Sequence, residues 1–193
     1  MNTTEMFESG QRPGAMPLAK KGFPFILTIL VILADQLLKT YIDHNWPLSQ
    51  PDERLFIKDI FENGVLQIWH VRNKAIAFSL GSNTPDFLRP VLFIILPIGV
   101  LGFLVWYYFT TKDMTTLQQY ALAGIIGGGT GNIIDRIFRP DGVVDFISIS
   151  LKFIPLPIFN PWPTFNLADA SVVTGCIIFL VSIVIINHNS IEK

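Results

Sequence analysis

The chain has 193 residues, of which 50% are hydrophobic and only 15% charged, and its formal net charge at pH 7 is −1. Soluble domains carry about 25% charged residues, so this composition is typical of a membrane protein rather than a soluble domain. A charge balance this close to neutral also argues against a nucleic-acid partner, because nucleic-acid binding requires a basic surface.

Four apolar segments approach the roughly 20 residues that a helix needs to cross a bilayer. They are residues 23–41, 87–109, 117–137 and 167–186. The first follows two lysines, as in a signal peptide, but it is too long and lacks a small-residue cleavage site, so we interpret it as a retained anchor. The lone cysteine, Cys176, is expected to pack as a small buried hydrophobe. The sequence therefore predicts an α-helical membrane protein with four transmembrane helices.

The polar ends of the chain are expected to lie outside this bundle. Residues 1–21 contain Gly and Pro and have no hydrophobic period, which predicts a flexible cytoplasmic tail. Residues 22–188 would form one membrane-embedded domain, followed by a C-terminal tail at 189–193. Basic residues occur in several connections, but the dense Lys20-Lys21 pair beside the first helix favours both termini in the cytoplasm.

The three connections differ in length. The first, 42–86, is too long for a turn and contains the β-like stretches VLQIWHV and AIAFSL, so we expect a small β platform at the outer surface. The second, 109–116, is short and makes the second and third helices antiparallel neighbours. The long third connection, 138–166, contains the turn dipeptide Asp141-Gly142, the possible strand VVDFISISL and the Pro-rich PLPIFNPWP.

Ionisable residues in spanning helices are costly, by about 2.5 to 3.5 kcal/mol at the helix centre, so each requires an explanation. Asp35 and Lys39 lie four residues apart near the outer end of the first helix, which is the spacing of an ion pair.

The third helix ends in GGGTGNIIDR, residues 127–136. Glycines 124, 127, 128 and 131 form two overlapping GxxxG pairs, which favour close packing between spanning helices. Packing does not explain the polar residues beside them. Asn132, Asp135 and Arg136 share a helix face through their spacings of three and four.

Two further acids are expected at the outer level of the bundle. Asn166 and Asp169 open the fourth helix as a capping-box variant, so capping alone could explain both. Asp145 is bracketed by apolar residues in VVDFI, where desolvation would raise the pKa of its carboxyl group. If Asp145 and Asp169 come within hydrogen-bonding reach, the pair would hold one proton near neutral pH. One carboxylate could then activate water while the other donates to a carbonyl.

Four alternatives compete with this hypothesis. A proton-conducting transporter would need polar residues through the whole membrane depth, and a scaffold would use its Asp and Asn residues only for capping. A metal site is poorly supported because His44, His70 and His188 are scattered. Serine nucleophiles lack a G-x-S-x-G motif, and no cofactor is expected.

Five blocks in this order resemble lipoprotein signal peptidase, the bacterial type II signal peptidase, an intramembrane aspartyl protease family. They are DQLLK from Asp35, RNKAIAFS from Arg72, GGGTGNIIDR from Gly127, VVDF from Val143 and FNLAD from Phe165. Together they span residues 35–171, nearly all of the expected ordered chain.

The resemblance implies that Asp145 and Asp169 are the catalytic pair. It further implies that seven polar residues form the substrate site. Four would line it, namely Asn73, Asn132, Arg136 and Asn166, and three would support it, namely Asp35, Lys39 and Asp135. The implied substrate is a prolipoprotein whose cysteine carries diacylglycerol, cleaved on the amino side of that cysteine. It implies a β-cradle over an extracytoplasmic site in the bacterial inner membrane, contact with membrane lipid, and a monomer.

The chain departs from the family pattern in its loops. Ala75 stands where the family has glycine, and Asp145 and Asp169 are separated more widely than usual. The additional length falls in the Pro-rich segment, residues 152–163, so we expect a longer lip over the site, since loop insertions cost little.

Overall fold

The computed structural model describes residues 22–74, 85, 87–151 and 162–191, with side chains up to residue 185. The predicted tail at 1–21, the AIAFSL stretch, Ala75 and most of the Pro-rich segment lie outside the described residues.

The described chain forms long helices in the four predicted segments. They are α1, Pro24–Asn45; α2, Leu96–Thr110, preceded by a π-helical turn at Val91–Ile95; α3, Thr116–Phe138; and α4, Leu167–Ile191. Helix α1 continues four residues beyond its predicted end, and α4 continues five, into the predicted C-terminal tail. Helix α3 begins with a capping box, in which Thr115 and Gln118 satisfy each other's backbone N–H groups.

Three of these helices are long and apolar enough to cross a membrane, namely Pro24–Asn45, Val91–Thr110 and Leu167–Ile185. Helix α3 does not belong to this group, so a fourth span stays a prediction. Helix α3 is largely covered by its neighbours: 12 of its 23 residues are buried, whereas α2 buries only Tyr108. Because its neighbours cover α3, it can carry glycines and polar residues that a lipid-facing helix would not.

Glycines bring α3 close to two other helices. A Cβ at Gly127 would lie 3.0 Å from the Thr28 carbonyl oxygen of α1, and one at Gly128 would lie 2.3 Å from the Ala168 carbonyl oxygen of α4. A side chain at Gly128 would collide with the α4 backbone, and one at Gly127 would force the α1 backbone to move by a few tenths of an ångström, which confirms the packing role predicted for the GxxxG pairs.

The β platform is a three-stranded antiparallel sheet with the order β1-β2-β3. Its strands are β1, Arg54–Asp59; β2, Leu66–Asn73; and β3, Val143–Ile149. The strands predicted from VLQIWHV and VVDFISISL are confirmed, whereas β1 was not predicted. The central strand β2 therefore joins the first connection to the third, and it brings residues distant in sequence to one surface.

A small apolar cluster attaches this sheet to the helices. Val144 and Phe146 of β3 pack with Ile42, near the end of α1, and with Leu167 at the start of α4. Alternation along β3 places Asp145 on the opposite face from Val144 and Phe146. Elsewhere, large apolar side chains are exposed on the helices, as expected of surfaces that face lipid. Cys176 is among the exposed residues, so the prediction that it packs in the core is wrong.

Candidate active site

Asp145 is held at the centre of β3, where its side chain is only 1% exposed. Its backbone lies opposite Val71 of β2, and Asn73 is the diagonal neighbour on the same face. Asn73 Nδ2 donates to Asp145 Oδ2 over 2.9 Å, and Asn166 Nδ2 donates to Oδ1 over 2.8 Å. Each carboxylate oxygen therefore accepts one amide hydrogen bond and retains a second lone pair.

Asn166 lies beside Asp145 because the chain before α4 pairs with β3. Phe165 and Ile147 form a backbone bridge, with N–H···O distances of 2.8 and 2.9 Å. The next residue, Asn166, caps α4: its Oδ1 accepts from the Asp169 N–H over 2.9 Å, and its own N–H donates to Asp169 Oδ2 over 3.1 Å. The predicted capping box is confirmed, and the same asparagine also contacts Asp145.

Asn132 of α3 completes the link between the two acids. Its Nδ2 donates to Asp169 Oδ1 over 2.7 Å, and its Oδ1 accepts from Asn166 Nδ2 over 3.1 Å. Two asparagine side chains thus orient both carboxylates. Capping alone does not require this arrangement, because the cap of α4 is complete without Asn132.

Lys39 is a fully buried ammonium group at the base of this cluster. Its Nζ lies 2.8 Å from Asp35 Oδ2, 3.0 Å from Asp135 Oδ2 and 3.0 Å from Asn132 Oδ1. The predicted pair with Asp35 is confirmed, and the structure adds Asp135 as a second anionic partner. A buried ammonium with two carboxylates and an amide oxygen has all three of its donors satisfied.

The two carboxylates around Lys39 also fix the backbone that carries the acids. Asp35 Oδ1 accepts from the Ala168 N–H over 2.9 Å, and Asp135 Oδ2 accepts from the Val144 N–H over 3.2 Å. These residues directly precede Asp169 and Asp145. The ion-pair cluster therefore determines where α4 and β3 present their acids, through hydrogen bonds to adjacent backbone.

Asp145 has a pKa raised from 3.8 to about 7. Burial is the main cause, because it disfavours the ionised carboxylate, and the nearby negative charge of Asp169 adds to it. The amide hydrogen bonds from Asn73 and Asn166 and the positive charge of Lys39 act in the opposite direction. The acid pair can therefore hold one proton at neutral pH.

Arg136 forms a cationic wall beside the pair. It interacts electrostatically with Asp169, Asp145 and Asp135, and its Nη1 donates to the Asn132 carbonyl oxygen over 3.3 Å. A cavity of about 240 Å³, lined in part by Asn73 and Arg136, opens at this wall. A larger cavity of about 610 Å³ is lined by Asp43, His70 and Arg72 and contains none of the predicted site residues. The smaller cavity is the better candidate for the substrate site, because it is lined by Asn73, which donates a hydrogen bond to Asp145.

All nine predicted site residues belong to one connected cluster. Sequence reasoning missed Gln36, whose Nε2 donates to Asp135 Oδ1 over 2.9 Å, and Arg139, which pairs with the same carboxylate. The spacing of four between Asp135 and Arg139 could have identified the second. No sequence spacing could have identified Gln36, because its partner Asp135 lies on a different helix. Within the described ranges, no group of three His, Cys, Asp or Glu side chains is placed to hold a metal ion.

Comparison with known proteins gives matches over most of the chain. A sequence model described as "Signal peptidase (SPase) II" matches residues 27–185. A lipoprotein signal peptidase of Borreliella burgdorferi is 38% identical over 169 residues, which cover 88% of this chain and 94% of the relative. One from Treponema pallidum is 34% identical over 165 residues, which cover 86% of this chain and 84% of the relative.

Two solved structures share the fold. Each is a bacterial membrane enzyme determined by the in meso method. The one at 2.3 Å resolution has a TM-score of 0.69 and 25% identity, covering 89% of this chain and 93% of that chain. The one at 1.9 Å resolution has a TM-score of 0.67 and 23% identity, and the match covers 84% of this chain and 92% of that chain. The overall fold of this chain is thus shared with bacterial membrane enzymes.

Proposed function

The chain belongs to the signal peptidase II family, as the sequence motifs predicted, and from this premise we propose that it is an aspartyl endopeptidase. Its substrate would be a prolipoprotein whose cysteine carries diacylglycerol, and cleavage on the amino side of that cysteine would release the signal peptide. The observation that carries the mechanism is the pairing of Asp145 and Asp169 through Asn166, which contacts both acids.

Hydrolysis requires an acid that protonates the carbonyl oxygen and a base that activates water. We assign the proton to Asp145, since its burial and raised pKa of about 7 favour the neutral form. Asp169 is partly exposed at the start of α4, where water can reach it, and its Oδ1 accepts from Asn132 Nδ2, so we assign the base to Asp169. It would take a proton from water as the oxygen attacks the carbonyl carbon.

The tetrahedral intermediate then collapses with a reverse flow of protons. The C–N bond breaks, Asp169 passes its proton to the departing amine nitrogen, and one hydroxyl of the intermediate returns a proton to Asp145. The products are the carboxylate end of the signal peptide and the new amino-terminal cysteine. Asn73, Asn132, Asn166 and Arg136 would line the reacting bond, while Lys39 and its two carboxylates would position the acids.

A substrate anchored by both a signal peptide and an acyl-bearing cysteine presents its scissile bond at the membrane surface. Asp145 stands on β3 of the sheet and Asp169 in the first turn of α4, where the sheet meets the helices, which fits that requirement. We propose that α3 spans the bilayer with the three apolar helices, that residues 22–188 form the single enzyme domain, and that the site faces outward from the bacterial cytoplasmic membrane with both termini cytoplasmic. We also propose that the enzyme acts as a monomer.

The proposal is tested by cleavage of a diacylglyceryl-modified prolipoprotein by wild type, Asp145→Asn and Asp169→Asn, with the thermal midpoint of each recorded. Each variant should remain folded and lose roughly 10⁴-fold in kcat, as is typical when one member of a coupled catalytic unit is removed. Asp141→Asn, at an exposed turn residue, is the matched control and should cleave at the wild-type rate.

A scaffold with capping aspartates predicts a different result. Cleavage would then be absent in wild type as well, or unaffected by Asp145→Asn, and only thermal stability would respond to the substitutions. Wild-type rates in either Asp145→Asn or Asp169→Asn would remove that residue from the mechanism.

A further inference from the structure

Arg72 opens the sequence block RNKAIAFS, yet the proposed mechanism assigns no role to its side chain. Arg72 and Asn73 are adjacent at the end of β2, so their side chains lie on opposite faces of the sheet. Asn73 contacts Asp145 on one face, over 2.9 Å. Arg72 contacts the outer end of α1 on the other face, where it pairs with Asp43. A contact made by Arg72 therefore acts on the backbone that presents Asn73.

The guanidinium group of Arg72 joins α1 to the turn before β3. Its Nη2 pairs with Asp43, and its Nη1 donates to the Gly142 carbonyl oxygen over 3.3 Å. Gly142 has a φ of 110°, and a Cβ there would lie 2.6 Å from the Asn73 carbonyl oxygen, so the turn packs directly on that backbone. Three residues after this turn stands Asp145. Arg72 thus connects the two backbone segments that carry the acid and its amide partner.

Asp43 is the fixed point of these contacts, because three basic side chains surround its carboxylate. Besides Arg72, His70 Nε2 lies 3.1 Å from its Oδ1, and Arg139 Nε lies 3.5 Å from its Oδ2. The His70 Nε2 is buried and is not aligned with that oxygen for a hydrogen bond, whereas its Nδ1 lies 2.7 Å from the Trp46 carbonyl oxygen. The end of α1 therefore holds both β2 and the chain that leads to β3.

We propose that Arg72 is a positioning residue of the peptidase site, which holds Asn73 within hydrogen-bonding distance of Asp145 by bridging Asp43 and the Gly142 carbonyl. The inference rests on the proposed function, in which Asp145 carries the catalytic proton. A lysine cannot replace Arg72 in this role, because an ammonium group is a point charge without the planar pair of donors that a guanidinium offers.

The titration of Asp145 reports on this geometry. Side chains from β2, α1, α3 and the start of α4 act on its carboxyl group, namely Asn73, Lys39, Arg136, Asn166 and Asp169. The hydrogen bond from Asn73 lowers the pKa of Asp145. If Asn73 moves away, the pKa should therefore rise. A residue that only stabilises the fold would lower the thermal midpoint without this change.

The first experiment compares the pH-rate profile of prolipoprotein cleavage by wild type and by Arg72→Lys, which keeps the charge and removes the bridge. Arg54→Lys, at an exposed residue of β1, is the matched control. Loss of one hydrogen bond should move the Asp145 limb of Arg72→Lys to higher pH by roughly 0.5 to 1 unit. The control should keep the wild-type profile.

A double substitution tests whether Arg72 acts through Asn73. Asn73→Ala removes the same hydrogen bond directly, so Arg72→Lys/Asn73→Ala should shift the limb no further than Asn73→Ala alone. Shifts that add would show that Arg72 acts by another route and would overturn the proposal.

Thermal unfolding of the same variants at several pH values provides a readout that does not require cleavage. The wild-type contribution of Asp145 to stability is lost as pH rises to about 7. In Arg72→Lys this loss should continue to higher pH, whereas in Arg54→Lys it should not. Absence of cleavage by wild type would remove the proposed function and leave this measurement valid. Arg72→Lys with the same pH dependence as wild type, with or without a lower Tm, would make Arg72 a merely structural residue.

Discussion

Asp145→Asn should change how stability depends on pH, because the wild-type carboxyl has a pKa of about 7 when folded and 3.8 in its ordinary state. Between these values the folded protein holds a proton that the unfolded chain has released. The free energy of unfolding therefore decreases as pH rises from about 4 to about 7, and this contribution is constant outside that window. The difference between 3.8 and about 7 corresponds to about 4 kcal/mol over the whole window.

An asparagine at position 145 does not titrate, so this part of the pH dependence should vanish. Asparagine has only one acceptor oxygen, so either Asn73 or Asn166 loses its partner, at a cost of about 1 to 3 kcal/mol that is independent of pH. The test is therefore how the free energy of unfolding changes with pH, and not its value at a single pH. Between pH 5 and pH 7 the wild type should lose about 2 kcal/mol relative to the variant, because at pH 7 the folded carboxyl has released its proton in half of the molecules.

Thermal unfolding in detergent at several pH values gives this comparison. A change of about 2 kcal/mol corresponds to roughly 4 to 8 °C in Tm for a chain of this size. Asp52→Asn, at an exposed residue of the first connection, serves as the control and should follow wild type at every pH. Parallel curves for wild type and Asp145→Asn would refute the assignment of the proton to this carboxyl group.

Three further substitutions test the supports of the site. Lys39→Met should lower the free energy of unfolding by about 3 to 5 kcal/mol in a denaturation assay, because it removes the cation that pairs with buried Asp35 and leaves Asp135 with Arg139; a loss below 1 kcal/mol would contradict the role of Lys39 as the shared partner of these carboxylates. Gly128→Ala should lower Tm through a cost of about 1 to 3 kcal/mol, whereas Gly99→Ala, with nothing within 4 Å of its Cβ, should not lower it; equal Tm values would argue against close packing of α3 and α4. Asn73→Ala should shift the Asp145 limb of the pH-rate profile to higher pH, because it removes a hydrogen bond that lowers the pKa of this carboxyl. An unchanged profile would show that Asn73 does not influence the titration of Asp145.

Local signals in the sequence predicted much of this site. The spacing of four identified the Asp35–Lys39 pair, and the three-residue spacing identified the cap formed by Asn166 and Asp169. Both rest on helix periodicity, which depends only on neighbours in the chain. The turn at Asp141-Gly142 was also correct, since the Gly142 N–H bonds the Arg139 carbonyl oxygen over 3.1 Å.

The remaining features depend on contacts between distant segments. Lys39 meets Asp135 across two helices, and Asn73 meets Asp145 only because β2 and β3 pair in one register. Strand β1 escaped prediction because RLFIKD is short and ends in charge, and its pairing with β2 makes it a strand. Cys176 was assigned to the core because an apolar run does not show which of its faces meets lipid.

The charges of the buried cluster explain why the acid pair should hold one proton. Four carboxylates and three cations surround the site, namely Asp35, Asp135, Asp145 and Asp169 with Lys39, Arg136 and Arg139. Asp43 has its own partner in Arg72 and does not alter this balance. Full ionisation would leave one uncompensated negative charge in a desolvated region, which is costly. A single proton removes that charge. Protonation of Asp145 costs least free energy, because Asp145 is the more buried member of the pair. The same cations that position the acids therefore also fix their protonation, so replacing any one of the three should shift the pH profile as well as the geometry.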